Sequence, residues 1–104
     1  MSLLAAHVGQ GNNSFLSINA SGEIFIFHYP YSYDPLNFGH SFSAQEFYAE
    51  LFNKVAKESG LALEESRLLL VSSFPREYFS DLQIETFCPS KDLEMQNDTT
   101  DVIY

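Results

Sequence analysis

HVGQGNNSFLSINASGEIFIFHY, His7 to Tyr29, is the stretch on which the fold turns. It follows the short apolar run Leu3–Val8, which has the character of a buried strand ending at Gly9. Phe15–Asn19 then alternates, with Phe15, Ser17 and Asn19 on one side and Leu16 and Ile18 on the other. Ala20-Ser21-Gly22 forms a turn with glycine last, where a left-handed conformation is favoured. In Glu23–Tyr29, Ile24, Ile26 and His28 face one way and Phe25, Phe27 and Tyr29 the other. Both sides are apolar, so this strand is expected to be covered on both faces. The spacing predicts three consecutive antiparallel strands.

Downstream, the pattern changes from strand to helix. Ser43 and Glu46 have the spacing of a capping box, and Phe42 and Phe47 that of a hydrophobic staple. Phe47, Leu51, Phe52 and Val55 make an apolar stripe at helical spacing, a core face in most proteins. Glu50 and Lys54 are spaced to pair along the helix. Gly60 supplies the left-handed stop, with Leu61 placed to fold back on Val55 or Ala56. Leu68–Phe74 (LLLVSSF), ended by Pro75, reads as a parallel strand buried on both faces and reached by a right-handed crossover. Arg76–Leu82 predicts one or two helical turns, and Gln83–Phe87 a short strand. Residues 1–89 thus form a single α/β domain, and 90–104 an acidic polar tail or the start of a further segment.

Composition narrows the function. A chain of 104 residues with a 45% hydrophobic share supports one modest core. The net charge of −9 argues against direct binding to nucleic-acid phosphates or anionic lipid. Before residue 46 the only charged side chains are Glu23 and Asp34. That asymmetry fits a buried sheet followed by solvated helices, or a first half partly covered by a partner. No apolar run approaches a membrane span, and the N-terminus lacks the basic region of a secretory signal. Asn12, Asn19 and Asn97 match the glycosylation pattern, which without an export signal reads as chance. Cys88 is the single cysteine, which excludes an intrachain disulfide and fits a reduced, cytoplasmic protein.

Catalytic and metal sites find little support. His7, His28 and His40 fall on a strand end, a strand and a loop, and no nucleophile elbow is present. Cys88 precedes Pro89 rather than opening a helix, and neither His-x₃-His nor Cys-x₂-Cys occurs. Glu64 and Glu65 lie in a polar turn. The aromatic loop Tyr29–Phe42 is the stronger candidate, because Tyr and Phe dominate interface hot spots. Tyr29, Tyr31, Tyr33 and Phe38 are the expected partner-binding residues, against the blander reading that these rings fold over the sheet edge. Gly9-Gln10-Gly11 is the candidate phosphate loop, although two glycines serve any tight turn.

The order strand, glycine loop, strand, turn, strand, helix, buried strand resembles the opening half of an actin-like ATPase domain of the ribonuclease H-like class. His7-Val8-Gly9-Gln10-Gly11, leading into Ser14–Asn19 and Gly22, is similar to the first phosphate loop of that superfamily. VSSFPREYFSDLQ (Val71–Gln83) resembles a passage of its heat-shock chaperone branch. The actin-like proteins of bacterial division and pilus assembly form a second similar subgroup, through Gln83–Phe87, Pro89 and Asp92-Leu93-Glu94. The resemblance implies an Asp that holds Mg²⁺ through water, and His7 stands at that position. An imidazole does not replace that carboxylate for a hard cation. The later nucleotide-binding segments of the family also have no counterpart here. No cofactor is expected, and ATP with Mg²⁺ would bind only if a missing half completed the cleft.

Three functions follow. The first is a non-catalytic interaction or assembly domain derived from an actin-like fold, binding a protein partner, a second copy of this chain included. The second is a small acidic inhibitor mimicking nucleic acid, in which Glu64, Glu65, Glu77, Asp81, Glu85, Asp92 and Glu94 would share one face. The third is an ATP-binding fragment of an actin-like ATPase.

Overall fold

A computed structural model of the chain describes residues 2–30 and 43–90. In chain order these form β1 (Ser2–Gly9), β2 (Asn12–Ile18), β3 (Ile24–Tyr29), α1 (Ala44–Ser59), β4 (Ser66–Ser72) and β5 (Thr86–Pro89), with 3₁₀ turns at Leu63–Glu65 and Arg76–Phe79. The strands build one mixed sheet in the order β3-β2-β1-β4-β5. β1 pairs antiparallel with β2 and parallel with β4. β3 adds antiparallel to β2, and β5 parallel to β4. The chain is therefore an α/β protein with three antiparallel strands, a helix, and a parallel strand returning beside β1.

Local chemistry accounts for the turns. Gly9 pairs with Asn12, so Gln10 and Gly11 alone make the first reversal, and Gly11 takes φ 72. β2 starts at Asn12 rather than Phe15, because its backbone ladder to Val8 and His7 continues through the polar pair Asn13-Ser14. In the second turn Gly22 has φ 85 and donates its N–H to the Asn19 carbonyl at 2.9 Å.

α1 begins with the expected capping box: Ser43 Oγ accepts from the Glu46 N–H, and Glu46 Oε1 accepts from the Ser43 N–H, each at 3.2 Å. It ends at Gly60, φ 72, with the Leu61 N–H donating to the Ala56 carbonyl at 3.0 Å. Lys54 does not pair with Glu50; its Nζ lies 5.1 Å from the Tyr29 ring centroid. Phe42, the partner expected for Phe47 in a staple, lies outside the described residues.

The core is the layer between α1 and one side of the sheet. Phe47, Tyr48, Leu51, Phe52 and Val55 from the helix meet Leu4, Ala6, Val8, Phe15, Leu68 and Leu70 from the strands. Phe15 packs edge-on against Phe52 at 5.2 Å and Tyr29 at 6.0 Å, and Tyr48 meets Phe79 at 5.2 Å.

Two expectations need correction. β5 runs Thr86–Pro89 rather than Gln83–Phe87, because its parallel register to β4 begins at Thr86 opposite Leu69. Ile84 packs against the core just before it. The edge position also tolerates Pro89, which has no N–H to give. Nor are β3 and β4 covered on both sides: Ile26 is 78% exposed, Ile24 64% and Val71 37%. Among the described residues α1 is the only α-helix, and it takes one face of the sheet.

Candidate functional site

The sheet register brings the residues of the open face into three cross-strand rows. From β4 to β3 these read Arg67-Leu3-Ile18-Ile24, Leu69-Ala5-Leu16-Ile26 and Val71-His7-Ser14-His28. Cys88 extends the third row onto β5. Strand alternation dictates this: the even positions of β1 and the odd positions of β2 point to α1, so their neighbours point away. Eight of the twelve positions on the four longer strands are Leu, Ile, Val or Ala. None is acidic.

The relief of this face is uneven. Ala5 is the smallest side chain in its row, and a shallow depression of about 450 Å³ opens over it, bordered by His7, Ser14, Leu16 and Ile26. Ile26 stands at the rim. In the polar row, Ser14 Oγ and His28 Nδ1 lie 3.3 Å apart. At the opposite end Arg67 makes a two-pronged contact with Glu85, Nε to Oε1 at 3.1 Å and Nη2 to Oε2 at 3.0 Å. Those hydrogen bonds hold the Glu85 carboxyl below its usual range and raise Arg67 above its own.

The candidate phosphate loop occupies a different position. Gly9-Gln10-Gly11 is the last residue of β1 and the two-residue β1–β2 turn, and a Cβ on Gly9 would approach Ser73 Oγ to 3.8 Å. β4 and β5 end nearby, where the Ser90 N–H donates to the Ser72 carbonyl at 2.7 Å. In parallel α/β sheets this carboxyl edge is where ligands bind. Here the hydroxyl of Ser72 is already engaged, donating to the Val8 carbonyl at 2.7 Å and accepting from the Phe74 N–H at 3.0 Å. His7 lies in β1 two residues before Gly9, on the open face.

Of the expected partner-binding residues, Tyr29 lies on the helix side, half-buried against Phe15 and Lys54. Tyr31, Tyr33 and Phe38 lie outside the described residues, as do His40, Asp92 and Glu94. The acidic side chains divide: Glu64 and Asp81 border one groove, Glu77 another, and Glu85 pairs with Arg67. Among the described residues no group of three His, Cys, Asp or Glu side chains is placed to hold a metal ion. No described helix is long and apolar enough to cross a membrane.

Sequence reasoning missed a polar anchor beneath the second turn. The Asn19 side chain accepts from the N–H groups of Ser21 and Glu23 at 3.1 and 3.0 Å. Its Nδ2 donates to Glu23 Oε1 at 2.8 Å and to the Ser59 carbonyl at 2.9 Å. Ser59 in turn hydrogen-bonds the buried Ser17, tying the end of α1 to β2. An Asn directly before a glycine turn is the one local signal that announced it.

No family model matches this chain, and no curated protein or solved structure matches it significantly.

Proposed function

We propose that this chain is a non-catalytic protein-interaction domain with the architecture of the opening half of an actin-like, ribonuclease H-like fold. The strand order, with β2 antiparallel to the other four strands, supports the architectural part of the reading. The observation that carries the functional part is the open sheet face, where Ile24, Ile26, Leu16 and Val71 are all more than a third exposed. A contiguous apolar surface of this kind marks an interaction site rather than ordinary scatter. His7, in place of the family's carboxylate, supports the non-catalytic part.

The sequence placed the partner surface on Tyr29, Tyr31, Tyr33 and Phe38. The exposed isoleucines add a second surface, and substitution separates the two. Immobilised domain carrying Ile24→Ser and Ile26→Ser is compared with wild type, and with Tyr31→Ser, Tyr33→Ser and Phe38→Ser, for the proteins each retains. Loss of a retained protein by either variant, with an unchanged unfolding midpoint, supports the reading. Equal retention by all three overturns it. Retention that weakens steeply with salt, instead of depending on these apolar side chains, would favour the acidic-mimic function.

The nucleotide-binding fragment, the third of the functions above, draws support from the position of Gly9-Gln10-Gly11 at the carboxyl edge of β1 beside β4. Titration with Mg-ATP tests it directly. Micromolar binding would replace the first reading.

A further inference from the structure

We infer that the occupant of the open sheet face is a second copy of this chain, packed sheet against sheet about a two-fold axis running along the strands. The inference rests on the reading of that face as an interaction surface.

Charge selects the partner class. The chain carries −9, so two copies repel through most pairs of surfaces. The three rows of the open face carry no carboxylate, and their one permanently charged member, Arg67, is matched by Glu85. On these rows two copies meet with little charge repulsion. A strongly basic partner would instead be drawn to the carboxylates elsewhere, and this face gives it nothing to pair with.

Shape selects the arrangement. A two-fold axis along the strands keeps each row opposite itself and reverses its order. In the middle row, Leu69-Ala5-Leu16-Ile26 then faces Ile26-Leu16-Ala5-Leu69 of the second copy. Each Leu16 lies over the depression at the other copy's Ala5, and each Ile26 over the other Leu69. The large Leu16 meets the small Ala5 twice, once in each direction, as an isologous contact requires. In the polar row the same operation sets each His7 opposite the other Ser14.

Size sets the strength. With strands about 4.8 Å apart and a rise of about 3.3 Å per residue, four strands and three rows cover roughly 19 by 20 Å. Two such faces, with their relief, bury on the order of 1,000 Å², the low end of specific interfaces. The dimer is therefore a weak, concentration-dependent one. Aligned sheets about 10 Å apart leave room for these side chains to interdigitate.

Sedimentation of the full chain across concentrations up to about 1 mM tests the inference, since even a millimolar dimer would then be substantially formed. The expected result is a mass that rises towards twice the monomer. Ile26→Glu and Ala5→Leu should each hold the chain monomeric, whereas Glu58→Lys, on the helix side, should not. A wild-type chain that stays monomeric, or a dimer that survives both open-face variants, overturns the inference. An apolar fluorescent dye separates that failure from failure of the underlying reading. If the monomer binds dye in a manner abolished by Ile26→Glu, the face still awaits a different protein. If the folded monomer binds none, both the dimer and the interaction surface fall.

Discussion

The glycines of the first turn are not equivalent, and the difference bears on what the turn is for. Gly11 holds φ 72 with open space around its Cβ position, so substitution there meets backbone strain and nothing else. Gly11→Ala should cost about 1–2 kcal/mol, read from the urea midpoint. At Gly9 an added Cβ makes only ordinary contacts, the nearest at 3.8 Å, and Gly9→Ala should stay within about 0.5 kcal/mol. A turn glycine was legible at both positions, but spacing alone did not tell which one the backbone needs. Asn19 presents the reverse case. Its chemistry is local to Ser21 and Glu23, yet its bond to the Ser59 carbonyl spans forty residues and leaves no trace in sequence spacing. Asn19→Ala strands the buried Ser59 carbonyl and frees the N–H groups of the turn, and should cost roughly 1–3 kcal/mol by the same measurement. The same burial bears on the Asn19-Ala20-Ser21 glycosylation match, because a glycan on Nδ2 would replace one of its two N–H donors and break one of its two donated bonds.

At the scale of the element, α1 was the most readable part of the chain. Its cap, stripe and stop are all set by neighbours within a turn or two, which is why spacing revealed them. Ser43→Ala removes one side of the capping box and should destabilise by about 1 kcal/mol in thermal or urea unfolding. β5 was harder, since a parallel edge strand is placed by its register to β4 rather than by its own alternation. The Arg67–Glu85 pair links these strands and carries a testable sign. Glu85 has its carboxyl pKa lowered by folding, so its contribution is present above the ordinary carboxylate value of the unfolded chain. It is lost as pH falls through the lower folded value. Arg67, raised from an already high value, stays charged throughout that window. Glu85→Gln should therefore cost a little stability at neutral pH and nothing in strong acid, measured by unfolding across pH. The effect is small because both side chains are about half exposed.

Across the whole molecule, the fold class followed from pattern while the coverage of the sheet did not. Alternation in Ile24–Tyr29 correctly showed two apolar sides, but a pattern records that a face is apolar, not what lies against it. α1 accounts for one side, and the other side's isoleucines lie open among the described residues. The candidate interaction surface was therefore half legible: its residues were visible, its exposure was not. Ile24→Ser with Ile26→Ser should raise the solubility limit in ammonium sulfate and move the unfolding midpoint by no more than about 0.5 kcal/mol per site.

The central place of β1 has a further consequence, which appears while the protein is being made. Its antiparallel neighbour β2 follows after two residues, but its parallel neighbour β4 does not begin until Ser66. At about 5–20 residues per second, a ribosome takes several seconds to deliver it. Throughout that interval the outer edge of Leu3–Val8 has hydrogen-bonding groups and apolar side chains but no strand to meet them. The rate at which residues 10–66 are synthesised thus sets how long a nascent chain stays open to the wrong neighbour. Slow codons in that span should favour inclusion bodies more than slow codons after Ser72.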